Sequence, residues 1–186
     1  MTYKIILLQY LRAYANNRNH ESSEVLEKVD TELEIVEKTH SELAMAYFKE
    51  GYNCSQSVFM AFCEEYSMDF EMALKVSSSF GAGMGRLREV CGAVSGMFMV
   101  AGMIYGYTDP QNHKIKAEHY ERIQYLAKEF EEKNHSIICR ELLGLGQGKD
   151  CPIPELRTAE YYKKRPCVEL VGMAAEIMEK YIEEHR

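Results

Sequence analysis

Six cysteines, Cys54, Cys63, Cys91, Cys139, Cys151 and Cys167, are the side chains of this 186-residue chain best equipped for chemistry. As thiolates they bind soft metals, hold iron–sulfur clusters or attack disulfides. The chain has no C-x-x-C, no cysteine–histidine cluster at zinc-finger spacing and no C-x-x-C-H for covalent haem. A shared site must therefore be assembled from distant segments. Cys54, Cys91 and Cys167 fall within about one turn of expected helix starts, where unpaired N–H groups and the helix dipole favour a negative sulfur. Cys139 precedes Arg140, whose cation would favour a thiolate if it folded back. Cys63, nine residues after Cys54, belongs on the opposite face of the same helix at about 100° per residue. Cys151, followed by Pro152, has three open roles: a fifth member of the set, a free thiol, or a thiol that pairs with a partner protein. Against all of these stands the ordinary use of free cysteine as a small buried hydrophobe.

A second candidate feature is the glycine cluster Gly81, Gly83 and Gly85, followed by Arg86 and Arg88. Its backbone N–H groups are expected to be available, and its arginines suit a carboxylate or phosphate. It lacks the G-x-G-x-x-G register, a preceding strand and a Walker lysine, so a nucleotide is not expected. Gly92 and Gly96, then Gly102 and Gly106, recur every fourth residue. One face made of small residues admits either another helix or a flat cofactor, and helix packing is the simpler explanation.

The elements that position these residues all read as helices. Ile5, Leu8, Leu11 and Ala15 mark a short first helix over 3–15. Leu26, Val29, Leu33, Val36, His40, Leu43 and Tyr47 step by threes and fours, predicting a heptad-patterned helix over 23–50 that pairs with another helix or a second copy. His40 in that seam reads as a satisfied core histidine. Gly51 ends the helix, and Asn53 with Gln56 has the form of a capping box that opens the next, to about residue 66. Further helices are expected over 69–79, 90–106, 108–134 (burying Ile115, Ile123, Leu126 and Phe130), 137–143 and 167–183, with a mostly irregular segment over 144–166. No segment alternates with the two-residue period of a strand. The expected architecture is all-α: a multi-helix bundle around a central glycine-rich apolar helix. Residues 1–43 form an N-terminal helical extension suited to homodimerisation, and 44–186 form the four-cysteine domain.

Composition narrows the function. Hydrophobic residues at 46% and charged residues at 27% describe a chain that packs a core. A net charge of −7 offers no basic field for nucleic acid. The longest uncharged run, 90–107, is dense in glycine and falls short of the roughly 20 residues of a membrane span. No secretory signal is evident at the N-terminus, and a cytoplasmic setting that keeps thiols reduced is expected.

The segments Y-N-C-S-Q-S at 52–57, F-G-A-G-M-G at 80–85, V-C-G-A-V-S-G at 90–96, C-R-E-L-L-G at 139–144 and C-V-E-L-V at 167–171 resemble the C_GCAxxG_C_C family of proteins labelled redox-active. The resemblance runs in order from about residue 44 to 178. Val90 stands where the family's name places a glycine. The family is similar to a domain of split-Soret cytochromes. That implies haem as a thought, with His113, His119 or His135 as non-covalent ligands, but the attachment motif is missing and haem is not expected. The resemblance implies an all-helical redox-type protein using Cys54, Cys91, Cys139 and Cys167. Their leading role is as ligands of an iron–sulfur cluster or other thiophilic metal for electron transfer or sensing, with Gly81, Gly83, Gly85, Arg86, Gly92 and Gly96 near the cofactor and Cys151 a further candidate ligand. The alternatives are a thiol–disulfide protein serving a redox partner protein or small molecule, and a non-enzymatic helical binding or scaffold protein.

Overall fold

A computed structural model of the chain describes residues 38–146 and 150–185. The helix expected over 3–15, the heptad seam up to Val36 and the dimerisation surface lie outside the described residues. The expected helix over 23–50 does not extend through Lys38 and Thr39, which are non-helical; α1 spans His40–Glu50. Thr39 with Glu42 three residues on is an S/T-x-x-E pattern, which favours a new start over continuation.

The following helices are α2 Cys54–Ala61, α3 Cys63–Tyr66, α4 Phe70–Ser77, α5 Gly92–Tyr105, α6 His113–Asn134, α7 Cys139–Leu142, α8 Ala159–Lys164 and α9 Cys167–Glu184. No strand occurs among the described residues; Val90 and Ile138 make an isolated antiparallel bridge. The fold is all-α.

Helix α5 is apolar on every side, and Gly92–Met97, Val100 and Ala101 are buried. Such a helix must be surrounded by others. It packs on α2, α6 and α9, while α9 lies along α1 and α1 against α2. A Cβ on Gly96 would come within 2.8 Å of the Ser55 carbonyl oxygen and 2.9 Å of Val58 Cβ, so α2 and α5 touch backbone to backbone there. The expected stripe of α9, Leu170, Val171, Ala174, Ile177, Met178 and Tyr181, is buried throughout. Phe48, Phe59, Phe62 and Phe130 fill the spaces between helices. Each such side chain contributes about 1.5–3 kcal/mol by leaving water.

Several expected boundaries shift for local reasons. The helix from Cys54 breaks at Phe62 (φ −107°, ψ 11°) before a final turn at Cys63–Tyr66. Helix α6 starts at His113 and not near Thr108, because Asp109 turns back to accept the Gln111 N–H (2.9 Å) and Asn112 takes the cap, accepting from Ile115 N–H. Ile115 consequently stays exposed, whereas Leu126 and Phe130 are fully buried. His40 is satisfied structurally: it stacks on Phe62 at 4.1 Å and bonds Glu179 Oε1 through Nδ1 at 2.6 Å.

Candidate functional site: a four-thiol cavity

Each of the four singled-out cysteines stands at a helix start. Cys54, Cys139 and Cys167 are first residues of α2, α7 and α9, and Cys91 is the N-cap of α5. Different local devices set them there. Asn53 forms the expected capping box, its side chain accepting from Gln56 N–H while Gln56 Oε1 accepts from Asn53 N–H at 3.0 Å. Cys91 and Cys139 are held beside one another by short backbone ladder bonds: Cys91 N–H donates to Ile137 O (2.8 Å), Cys139 N–H to Glu89 O (2.7 Å) and Arg140 N–H to Arg88 O (3.2 Å). Pro166 caps the helix that Cys167 opens.

The segment between α4 and α5 is wound the wrong way. Ala82, Gly83, Met84, Gly85 and Arg86 all have φ between 55° and 69°, a run of left-handed backbone. Each non-glycine residue there costs about 1–2 kcal/mol. Not all of its N–H groups are free: Gly85 N–H returns to Gly81 O at 2.9 Å, and just beyond the cluster Leu87 N–H bonds Met84 O at 3.2 Å and Glu89 N–H bonds Gly83 O at 3.2 Å. Ala82 N–H is directed at the Cys54 sulfur. Gly83 is required twice over, by its φ of 67° and by Cys139 Cβ, which would lie 2.6 Å from any Cβ added there. Gly92 meets Cys54 Cβ in the same way at 3.0 Å. Gly81 abuts the side chain of Asn53, and Gly85 lines the neighbouring arginine-rich space.

All four sulfur-bearing residues line one cavity of about 60 Å³, closed in by Ala82, Leu142, Tyr161 and three arginines, Arg88, Arg157 and Arg165. Cys91, Cys139 and Cys167 are buried and Cys54 is half-buried. Cys63 does not reach this cavity; it lies near the Tyr66 hydroxyl at 3.9 Å, its thiol pushed up by burial. Cys151 is exposed on the segment that leads to α8.

The four thiols are not equivalent. Hydrogen bonding from the Cys167 thiol holds Cys54 down to about 7 from an ordinary 9.0, with the Ala82 N–H and the Arg157 charge assisting against burial. The same bond pushes Cys167 up, as does its burial. Burial, with the nearby Cys54 charge, also raises Cys91. Cys139 is raised by burial, opposed by Arg88, whose Nη1 lies 3.8 Å from its sulfur. The cation beside Cys139 is thus Arg88, and not Arg140 as expected. Arg140 instead folds onto the carbonyls of Leu87 and Arg88 and the Glu89 carboxylate. Arg86 and Arg88 do hold a carboxylate, but an internal one. Asp150 accepts from Arg86 at 2.7 Å and from Arg88, so the segment after the glycine-bearing loop is strapped over the site.

Sequence reasoning missed Ala82, Asp150, Arg157, Tyr161 and Arg165. A signal existed for the last three, since Arg157, Tyr161 and Arg165 recur at four-residue intervals, one helical face. Arg157 donates to the carbonyls of Phe48 and Tyr52 and lies over the Phe48 ring at 4.2 Å. Arg165 bonds Glu155 at 2.5 Å and covers Tyr161 at 5.1 Å.

A four-sulfur donor set suits a thiophilic metal by its chemistry. Yet among the described residues no three Cys, His, Asp or Glu side chains stand close enough together to hold an ion. None of His113, His119 and His135 lines the cavity. The geometry brings four free thiols to the wall of one cavity.

The sequence model of the C_GCAxxG_C_C family, described as "Putative redox-active protein", matches residues 52–181. The chain belongs to the C_GCAxxG_C_C family. The match begins just before Cys54 and ends after Cys167, so the whole four-thiol cavity falls inside the family region. No curated protein and no solved structure matches the chain. No described helix is long and apolar enough to cross a membrane.

Proposed function

We propose that the protein performs thiol–disulfide exchange with Cys54 and Cys167 as the working pair, in the reducing cytoplasm. The observation that carries this reading is that Cys54 and Cys167, the first residues of α2 and α9, open into one small cavity, where the Cys167 thiol draws Cys54 down to about 7 and is itself pushed up. An attacking thiol with a pKa near ambient pH is the fastest kind. The Cys54 thiolate attacks one sulfur of a disulfide, that S–S bond breaks, and the departing thiolate takes up a proton. Cys167 then loses its proton and attacks Cys54 Sγ, releasing the second half as a thiol. Two electrons pass from the pair to the substrate disulfide, and a reduced dithiol partner restores the pair. Stoichiometric oxidation of the reduced chain followed by peptide mapping tests this: a Cys54–Cys167 disulfide is expected, and loss of thiols elsewhere with this pair intact refutes it.

A second reading, ligation of an iron–sulfur cluster or another thiophilic metal, is favoured by one observation, the opening of all four cysteines into a single cavity. Anaerobic purification with iron and sulfide analysis separates the two. A colourless, metal-free anaerobic preparation removes the metal reading. A coloured one whose cluster protects Cys54 and Cys167 from alkylation removes the exchange reading.

A further inference from the structure

Beside the thiol cavity lies a larger one of about 260 Å³, and Asn53, Ala82, Arg88, Arg157, Tyr161 and Arg165 line both. With Arg86 included, four guanidinium groups face this space. Two carboxylates oppose them. Asp150 takes Arg86 and Arg88, and Glu155 takes Arg165 at 2.5 Å with Arg86 at 3.6 Å. Four cations against two anions leave an excess of two positive charges around the chamber, in a chain whose net charge is −7. Arg157 spends its hydrogen bonds on main-chain carbonyls, so its charge meets no carboxylate among those ion pairs. Arg86 Nε is buried without a hydrogen-bond partner. A buried donor left unsatisfied costs about 1–3 kcal/mol, which an acceptor brought by a ligand would recover.

Resting on the thiol–disulfide reading, we infer that this arginine-lined chamber recognises the substrate, and that the substrate is a small disulfide carrying two carboxylates. Size argues for a small molecule, because the space falls below the roughly 300–1,000 Å³ of pockets for drug-sized ligands. Charge argues for a dianion, which matches the excess of two. Position argues for a sulfur compound, because Arg88, Arg157 and Arg165 line both this chamber and the smaller cavity into which Cys54 opens. Guanidinium forks grip carboxylates in fixed orientation, which would present the S–S bond to the Cys54 thiolate.

The test uses the full reduced chain and three disulfides of similar size: dithiodiglycolate (two carboxylates), bis(2-hydroxyethyl) disulfide (neutral) and cystamine (two cations). Cys54 oxidation is followed by quenching and peptide mapping. Dithiodiglycolate is expected to react saturably and about tenfold faster than the neutral compound, the scale of one charge-assisted hydrogen bond. Cystamine is expected to be slowest, and the spread should shrink as salt is raised. In R86Q and R165Q the anionic-to-neutral rate ratio should fall towards one. Adipate, in which two methylenes replace the sulfurs, reads the chamber without any thiol chemistry. Calorimetry should show 1:1 adipate binding that R165Q weakens. Equal rates for the three disulfides, or absence of adipate binding, overturn the recognition proposal while leaving exchange at Cys54 standing. Adipate binding with no oxidation of Cys54 by any disulfide supports the anion chamber and refutes the exchange reading instead.

Discussion

Replacing Cys167 by alanine isolates the interaction on which the site depends. Cys54 is held near 7, two pH units below its ordinary 9.0, and the largest cause is the hydrogen bond from Cys167. Two units correspond to about 3 kcal/mol of preference for the thiolate. Without that donor, burial acts against the Ala82 N–H, the Cys54 N–H and the Arg157 charge, so the midpoint should rise towards the ordinary 9. At pH 7 the thiolate fraction then falls from about one half to about one hundredth, roughly 50-fold. A thiolate of higher pKa is a better nucleophile, by roughly eightfold over two units at a Brønsted slope of about 0.45. The net loss in alkylation rate at pH 7 is therefore only about sixfold, and the shift of midpoint is the sharper readout. The assay is iodoacetamide labelling of Cys54 across pH 5–10, resolved by peptide mass. Cys167→Ser keeps a hydroxyl donor and should fall between wild type and C167A. A C167A midpoint that stays near 7 would show that helix and arginine electrostatics, and not the partner thiol, set the reactivity of Cys54.

Other consequences are open to simpler measurements. Gly83→Ala places a methyl group 2.6 Å from Cys139 Cβ at a φ of 67°. Strain and overpacking together should cost about 2–4 kcal/mol and lower Tm by roughly 5–15 °C in a thermal melt. Arg88→Gln removes the stronger of the two cations, Arg88 and Arg165, that oppose burial at Cys139, so its thiol should rise further and label more slowly at pH 8–9. Asp150→Asn loosens the double grip of Arg86 and Arg88, and limited proteolysis should then cut the segment around 150–157 sooner than in wild type. Stability of the reduced protein should decline above pH 9. Cys91, Cys139 and Cys167 have raised folded values, so their contribution is present below 9 and lost as pH rises, whereas depressed Cys54 contributes above 9 and loses that as pH falls through about 7. Urea titrations at pH 8 and 10 should show the midpoint fall.

Much of the fold was legible because its signals are local. The capping box at Asn53, the apolar run around Gly96 and the stripe from Leu170 to Tyr181 depend on residues within a few positions of one another. Helix starts also nominated three of the four cavity cysteines. What escaped were relations between distant segments. Arg140 looked like the neighbour of Cys139, but pairing of 88–91 with 137–140 turns its side chain onto the Leu87 and Arg88 carbonyls and brings Arg88 to the sulfur. Asp150 lies more than sixty residues from the arginines that hold it. The left-handed run at 82–86 is hidden for another reason: Ala82, Met84 and Arg86 have no local preference for that conformation, and only surrounding contacts impose it.

That run has a stereochemical corollary. Backbone disfavoured for L-residues is the comfortable form for their mirror images, so the handedness penalty at 82, 84 and 86 is a property of side-chain configuration alone. A chain assembled by chemical ligation with D-alanine at position 82 would keep every peptide group in place, including the N–H that faces Cys54. Its Cβ would move to the other side of the backbone and the penalty of about 1–2 kcal/mol would vanish. Inverting one chiral centre would thus stabilise a protein made otherwise entirely of L-amino acids.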